Sequence, residues 1–215
     1  MRKELTTSAI AIVFFTLLLG VAYPLVVTGV AQVLFPNTAD GSRVEVGGRT
    51  VGSSLIGQSF QRPVLDRNGE PRVDADGNKI TTPDLRYFQS RPSATGYAPD
   101  ITFFNNLGPN NRELAGILRE NLLLYLKTER PFDPGLTRED VPVDAVTTSA
   151  SGVDPHISEA NARIQAHRIA EVRGLSLDQV NELIDENTDG RFLVFGEPGV
   201  NVLELNIDLD QEAPA

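Results

Sequence analysis

Residues 9–35 read AIAIVFFTLLLGVAYPLVVTGVAQVLF, and this stretch decides the architecture of the chain. The sequence around it is also uncharged, since no Asp, Glu, Lys or Arg occurs from Leu5 to Ala39. At roughly 1.5 Å per residue, the stretch extends about 40 Å as a helix, whereas the hydrocarbon core of a bilayer is roughly 30 Å thick. The sequence therefore predicts one transmembrane helix that crosses with a tilt.

A cleaved signal peptide is the alternative interpretation of this segment. Arg2 and Lys3 supply a basic start, and Gly29-Val30-Ala31 resembles a small-residue cleavage site. The apolar region of a signal peptide, however, is only about 7–15 residues long. The greater length of the apolar run favours a retained anchor.

The orientation of the anchor follows from the basic residues beside it. Arg2 and Lys3 precede the helix, and basic residues near a membrane span favour the cytoplasmic side. We therefore expect residues 1–8 to form a cytoplasmic tail, residues 9–35 to span the membrane and residues 36–215 to lie outside.

The expected outer part of the chain is strongly acidic. The whole sequence has a formal net charge of −10 and no cysteine. Without Arg2, Lys3 and Glu4, 17 basic and 28 acidic side chains remain, a net charge of −11. Such a domain repels nucleic acid and attracts cations, although the charge can equally serve solubility alone.

Small or polar residues recur every four positions within the predicted helix. The positions are Thr16, Gly20, Pro24, Thr28 and Gln32. Helices in lipid associate along such ridges, because small residues allow close approach and polar groups bond across the contact. We expect this ridge to pack against a partner helix, with a bend at Pro24. The alternative is that Gly and Pro are simply more frequent in membrane helices.

Two segments after the anchor have clear helical signatures. Residues 112–128 carry apolar side chains at helical spacing, which predicts an amphipathic helix that packs in the core. These side chains are Leu114, Ile117, Leu118, Leu122 and Tyr125. Ser158 can cap a second helix that ends at Arg173, where Gly174 supplies a stop.

A third helix is predicted over residues 177–187. Ser176 and Gln179 have the spacing of a capping box, and Leu175 and Val180 are placed for a hydrophobic staple. These local signals fix where the helix begins.

Turn signals and alternation predict the strands. Val44 to Val51 contains Gly47-Gly48 and is typical of a hairpin. Residues 62–84 form an inserted excursion with turn signals at Asn68-Gly69 and Asp76-Gly77.

Two further strands are expected near the end of the chain. Arg191 to Phe195 is a short apolar run, and residues 203–210 alternate between apolar and polar side chains. Helices and strands together predict one extracytoplasmic α+β domain behind a single transmembrane helix.

The sequence offers little support for a metal or nucleotide site. His156 and His167 are eleven residues apart with no cysteine to complete a zinc site. Asp74, Asp76 and Asn78 resemble the start of a calcium loop, but the Gly and Glu that such a loop needs are missing. No phosphate-binding glycine loop occurs, so we expect no cofactor bound by this chain itself.

A hydrolase is the main catalytic alternative. Ser151, Asp154 and His156 bring a hydroxyl, a carboxylate and an imidazole close together in sequence. A triad is defined by spatial roles, however, and no nucleophile elbow surrounds the serine. The alternative function is therefore a membrane-tethered periplasmic hydrolase.

Arg91 is the most informative single basic residue. Tyr87, Phe88 and Tyr97 surround it in sequence, and arginine and aromatic residues are enriched at protein interfaces. Arg91 can thus anchor a partner, or alternatively form an ion pair within the domain.

Several ordered segments together resemble the KdpC family, which belongs to the Kdp high-affinity potassium-transporting P-type ATPase of bacteria and archaea. The segments are Tyr23-Pro24, residues 52–60 including Gln58, residues 87–95, residues 106–110, residues 141–144, residues 149–158, residues 196–202 and Leu205-Asn206. The excursion at residues 62–84 departs from the family pattern. The resemblance covers nearly the whole chain.

The resemblance implies an accessory subunit without catalysis of its own, in a bacterial inner membrane. Its partners are expected to be a channel-like potassium-binding subunit, a P-type ATPase subunit, a small membrane peptide and membrane lipid, with no nucleic acid. ATP and K⁺ are then handled by the complex, and this subunit supports assembly and acts as a catalytic chaperone that raises ATP affinity. The implied partner interface comprises Gln58, Tyr87, Phe88, Arg91, Ser151, Asp154 and His156.

The expected topology constrains the chaperone role. ATP is cytoplasmic, whereas the domain is expected outside the membrane. Any effect on nucleotide affinity would therefore be indirect, as a coupling free energy transmitted through the anchor and the partners.

Overall fold

A computed structural model describes residues 2–74, 77, 79–98, 100–101, 106–191 and 196–214. The chain divides into two compact units, Met1–Ser53 and Ser54–Ala215. Each unit is considered by itself below.

The first unit contains the predicted membrane helix. It consists of α1 (Arg2–Leu17), a π-helical turn (Leu18–Ala22) and α2 (Tyr23–Leu34). Together these form one helix of 33 residues, which is long and apolar enough to cross a membrane, and none of its described residues is buried. The π-helical turn lies directly before Pro24, and the backbone N–H of Tyr23 donates to the carbonyl of Leu18. The helix thus accommodates the proline with a wider turn.

A hairpin follows the membrane helix, as the sequence predicts. A short helix α3 (Pro36–Ala39) leads into the antiparallel strands β1 (Arg43–Val46) and β2 (Arg49–Ser53). Gly47 and Gly48 have φ angles of 58° and 78°, which is the conformation that a tight two-residue hairpin turn needs. The hairpin groups with the membrane helix in the first unit.

Four helices build most of the second unit. They are α4 (Arg112–Glu129), α5 (Glu159–Arg173), α6 (Leu177–Glu186) and α7 (Val202–Glu212). The predicted caps at Ser158 and Ser176 are confirmed, and Gly174 ends α5 in a left-handed conformation with φ 71°. A 3₁₀ turn (Val143–Ala145) precedes α5. Local capping chemistry therefore sets the helix ends.

The core lies where α5, α6 and α7 meet a small antiparallel sheet. The strands are β5 (His156–Ile157), β6 (Thr188–Asp189) and β7 (Gly199–Asn201), with β7 in the centre. The buried cluster comprises Phe88, Ile157, Ala162, Ala166, Ile169, Ala170, Val180, Ile184, Val200, Val202, Leu205 and Leu209. The α+β class with one N-terminal membrane helix is therefore confirmed.

The predicted strand at residues 203–210 is wrong, because these residues lie in α7. Asn201 caps the helix, and its side chain accepts hydrogen bonds from the N–H groups of Leu203 and Glu204. Val202, Leu205 and Leu209 are buried at helical spacing. Both periods fit the same leucines, and the cap decides for the helix.

The apolar stripe of α4 is less buried than the sequence predicts. Helix α4 is confirmed, but its five predicted core side chains are not fully buried. The fully buried residues of α4 are Leu126 and Glu129, and Glu129 pairs with Arg168 of α5. One side of the helix therefore packs against polar groups.

The excursion forms a small β arm. Strands β3 (Gln61–Pro63) and β4 (Thr81–Pro83) pair, and single bridges join Leu65 to Pro71 and Val73 to Lys79. Gly69 and Gly77 have φ angles of 86° and 85°, so the chain turns at both expected places. Asp76 and Asn78 of the calcium-like sequence lie outside the described residues, as do positions 192–195 of the predicted strand that begins at Arg191.

Candidate partner-binding surface around Arg91

The segment from Asp84 to Arg91 is held by a buried arginine. Arg168 donates from Nη1 to the carbonyls of Leu85 and Tyr87, at 2.7 and 2.9 Å. Its Nε lies 3.1 Å from both carboxylate oxygens of Glu129, and the two side chains are 0% and 2% exposed. Burial raises the pKa of Glu129, and Arg168 opposes that shift. The ion pair stays charged because Arg168 supplies the compensating charge.

Two side-chain amides clamp the next part of the segment. Asn206 of α7 accepts from the N–H of Phe88 at 2.8 Å and donates to its carbonyl at 3.0 Å. Gln165 of α5 makes the same pair of bonds with Gln89, at 2.7 and 3.1 Å. These amides satisfy the backbone where a neighbouring strand would otherwise do so. The position of the segment is thus set by α5 and α7.

Phe88 belongs to the core of the domain. Its side chain is fully buried in the cluster of α5, α6 and α7. A direct contact between this side chain and a partner does not fit the burial. Phe88 acts instead as the apolar anchor that fixes its neighbours.

Tyr87 lies beside a charged group of residues. Its ring packs under the guanidinium of Arg173 at 4.8 Å, and its hydroxyl donates to Asp210 at 3.1 Å. Burial and the negative charge of Asp210 raise its pKa. The ring therefore has its edge tied to α5 and α7.

Arg91 forms the ion pair that the sequence offers as the alternative to a partner contact. Its Nη1 donates to Asp154 at 2.9 Å, and its Nη2 lies 3.3 Å from the hydroxyl of Thr147. The side chains of Arg91 and Asp154 keep 21% and 30% of their surface exposed. The Nε of Arg91 is buried without a hydrogen-bond partner. The pair joins two loops and still reaches the surface.

Tyr97 supports Arg91 from below. Its hydroxyl donates to the carbonyl of Arg91, and burial raises the pKa of Tyr97 to about 12. Tyr97 has a φ of 66°, which is uncommon for a residue with a side chain and marks local strain. The surrounding structure thus forces this turn to present Arg91 in one position.

Two glycines allow the loops at this surface to pack closely. An added Cβ at Gly57 would lie 2.4 Å from the carbonyl oxygen of Asp154. At Gly152, which has a φ of 74°, a Cβ would lie 2.7 Å from the hydroxyl of Thr95. The carbonyl of Gln58 accepts from Ser90 at 2.8 Å, so Gln58 lies in the same packed region. Residues 57–58, 90–97 and 149–156 therefore form one surface, here called the Arg91 surface.

His156 lies at the edge of the Arg91 surface. Its Nε2 is 2.9 Å from a carboxylate oxygen of Asp189, and its Nδ1 is 3.9 Å from Asp154. Ser151 is exposed, and its hydroxyl accepts from the N–H of Val153 at 3.2 Å. Among the described residues, Ser151 makes no hydrogen bond with His156. The nucleophile and base of a hydrolase are therefore not paired.

A groove of about 250 Å³ runs between the Arg91 surface and α4. Its walls include Phe60, Arg91, Tyr97, Leu124 and Tyr125. The aromatic side chains and the buried polar floor give it the mixed character of a recognition surface.

The predicted ridge of the membrane helix is exposed in this single chain. Thr16, Gly20, Pro24, Thr28 and Gln32 all lie on the surface of the helix. A Cβ added at Gly20 would meet no atom within 4 Å, and Gln32 donates to Asp40 at 3.0 Å. The ridge is thus open for a neighbouring helix.

Sequence reasoning missed the residues that hold the Arg91 surface. Arg168, Glu129, Gln165 and Asn206 are polar residues in helices, where a solvent-facing position is the default expectation. The detectable signal was the Gly57 position, since glycine without a turn context often marks a close backbone approach.

The fold and the Arg91 surface define a class of protein, a single-span membrane protein whose domain presents a fixed polar surface for binding. Residues 5–211 match the family model KdpC, described as K⁺-transporting ATPase, c chain. The chain belongs to this family.

Individual relatives agree over the full length. The potassium-transporting ATPase KdpC subunit of Methylibium petroleiphilum is 44% identical over 218 residues, covering 100% of both chains. That of Koribacter versatilis is 40% identical, covering 100% of this chain and 97% of the relative. That of Streptomyces coelicolor is 42% identical, covering 93% and 88%. The resemblance noted in the sequence is therefore confirmed.

Proposed function

We propose that this chain is a non-catalytic subunit of an ATP-driven potassium uptake complex, where it is needed for assembly and stability. Its partners are a channel-like potassium-binding subunit, a P-type ATPase subunit and a small membrane peptide. The observation that carries this proposal is the Arg91 surface, which buried helix residues fix in place and which pairs no nucleophile with a base. A fixed surface suits binding, since little ordering entropy is lost.

We further propose a single-pass position in the bacterial inner membrane, with the N-terminus in the cytoplasm and the domain outside. Arg2 and Lys3 support this orientation. The chain has no cysteine, so a single Gly116→Cys substitution provides a unique thiol on an exposed face of α4. A thiol reagent that cannot cross membranes should label this position in spheroplasts. Labelling only after the cells are lysed would refute the orientation.

The role as a catalytic chaperone is also part of this proposal, in an indirect form. A domain outside the membrane cannot touch cytoplasmic ATP. An increase in ATP affinity would be a coupling free energy that passes through the membrane helix and the partners. Such coupling is reciprocal, so ATP should also strengthen the association of this subunit with the ATPase subunit.

The test is purification of the tagged full-length chain from its native membrane in mild detergent. We expect a potassium-binding subunit and an ATP-hydrolysing subunit to purify with it. The double variant Arg91→Ala/Asp154→Ala should lower their yield, because it removes the centre of the surface without leaving one charge unpaired.

The matched control is Arg163→Gln/Asp185→Asn. This pair joins α5 and α6 at 2.7 Å and is also exposed, but it lies outside the Arg91 surface. Equal partner yields for both double variants, with both domains folded by thermal unfolding, would refute the role of the Arg91 surface. A chain that purifies alone would refute the proposed function itself.

A further inference from the structure

The outward face of α4 is basic, although the domain as a whole is acidic. Counting in steps of three and four residues from Arg112, one exposed line of side chains follows the helix to its C-cap. The line consists of Arg112, Gly116, Arg119, Leu123, Lys127 and Arg130, all of which are exposed. It contains four basic residues and no acidic one. The acidic residues Glu113 and Glu120 lie about a quarter turn away around the helix.

Most of these charges are available to a ligand. Arg112, Arg119 and Lys127 make no ion pair or hydrogen bond with any described residue. Arg130 uses its Nε to donate to the carbonyl of Leu136 at 2.9 Å, which fixes the side chain at the end of the helix. Because the sequence outside the anchor has a net charge of −11, this face is a local reversal of sign.

A shallow apolar depression lies at the C-terminal end of the same face. It has a volume of about 390 Å³ and is lined by Leu123, Leu126, Lys127, Arg130 and Pro131. Leu123 is 61% exposed. Three apolar side chains and two cations therefore share one site, which suits a ligand with an anionic head and an apolar body.

We propose that this face of α4, here called the α4 basic face, binds anionic phospholipid of the membrane that holds the anchor. Basic side chains near a bilayer are attracted to anionic headgroups, and exposed leucine inserts at the boundary with the acyl chains. The membrane helix of the same chain keeps the domain close to the bilayer, which raises the effective concentration of lipid. The binding orients the domain without a second membrane segment.

The experiment uses the full chain in lipid nanodiscs and a polarity-sensitive fluorophore on a single cysteine. Gly116→Cys places the probe on the α4 basic face, where an added Cβ meets no atom within 4 Å. Glu182→Cys places the control probe on the exposed side of α6. A lipid carrying a quencher near the headgroup reports contact with the bilayer. We compare nanodiscs of phosphatidylglycerol and phosphatidylcholine with nanodiscs of phosphatidylcholine alone.

We expect strong quenching of the probe at residue 116 in phosphatidylglycerol, weak quenching in phosphatidylcholine, and weak quenching of the probe at residue 182 in both. Arg119→Gln/Lys127→Gln should reduce the ratio of docked to free domain roughly 30-fold, since each basic residue near an anionic surface contributes about fivefold. The charge control is Arg67→Gln/Lys79→Gln on the β arm, which should change nothing.

The apolar contribution has its own matched pair. Leu123→Ser should weaken quenching, whereas Leu65→Ser on the β arm, where the leucine is 54% exposed, should not. Equal quenching at residues 116 and 182, or no effect of the Arg119→Gln/Lys127→Gln variant, would overturn the proposal. If the assembled complex shields the probe at residue 116 from water and the lipid quencher still has no effect, the α4 basic face binds protein and the proposal is wrong.

Discussion

Replacing Arg168 with methionine should destabilise the domain by about 3–5 kcal/mol, because it leaves a buried carboxylate without its counter-charge. Glu129 is 2% exposed and receives both of its close contacts to a positive charge from Arg168. The carbonyls of Leu85 and Tyr87 lose their donor as well. Each buried acceptor left unsatisfied costs about 1–3 kcal/mol, so the estimate is conservative.

The Arg168→Met variant should also make stability depend on pH. Burial already raises the pKa of Glu129 above its usual value of 4.5, and removing Arg168 removes a cause that lowers it. A carboxyl whose pKa is raised in the folded state binds its proton more tightly there than in the unfolded chain. The stability of the variant should therefore be greatest below pH 4.5 and should fall as the pH rises through the folded-state pKa.

Urea unfolding of the full chain in detergent, followed by tyrosine fluorescence between pH 4 and pH 8, measures both effects. Tyr87, Tyr97 and Tyr125 report on the domain, since the chain has no tryptophan. Arg163→Met is the control, because its exposed ion pair should contribute only about 0–1 kcal/mol.

The double variant Arg168→Met/Glu129→Leu should recover part of the loss, since neither charge remains buried. A loss below about 1 kcal/mol for Arg168→Met, or a loss independent of pH, would refute this account of the ion pair.

Two further predictions concern close backbone approach. Gly57→Ala should destabilise the domain by roughly 1–3 kcal/mol, because the new methyl group would lie 2.4 Å from a backbone carbonyl that cannot move alone; a thermal midpoint equal to that of Gly116→Ala would contradict it. Gly20→Leu should lower the yield of partner subunits in co-purification while the domain stays folded, because bulk on the ridge separates the helices. Unchanged yield would mean that this side of the helix faces lipid.

Local signals predicted the helix ends of the second unit well. Ser158, Ser176 and Gly174 act within four residues of themselves, through caps and a left-handed stop. The membrane helix was equally predictable, because length and composition alone decide it. Chemistry of this kind does not depend on the rest of the fold.

The error at residues 203–210 shows where periodicity fails. Leu203, Leu205 and Leu209 fit an alternating strand, but Leu205 and Leu209 also fit one face of a helix together with Val202. Short apolar patterns leave both periods open. Asn201 held the information that separates them, since its side chain caps the N–H groups of the first turn.

The support of the Arg91 surface could not be read from the sequence, because its contacts are long-range. Arg168 lies 39 positions from Glu129 and 83 positions from Leu85. A polar residue in a helix is normally exposed, and the sequence carries no sign of which arginine is buried. The pairing follows only once α4, α5 and the Asp84 to Arg91 segment are folded together.

A buried network of this kind has a physical cost that explains its position. Replacing buried ion pairs with apolar packing is often neutral or stabilising, so the network is not needed to fill the core. What it supplies is a fixed backbone, because Arg168, Gln165 and Asn206 together satisfy the donors and acceptors of the segment before Arg91. The segment has no neighbouring strand among the described residues, so without these side chains it would be a loop. A loop would have to be ordered on binding, whereas the clamped segment presents Arg91 to a partner already in place.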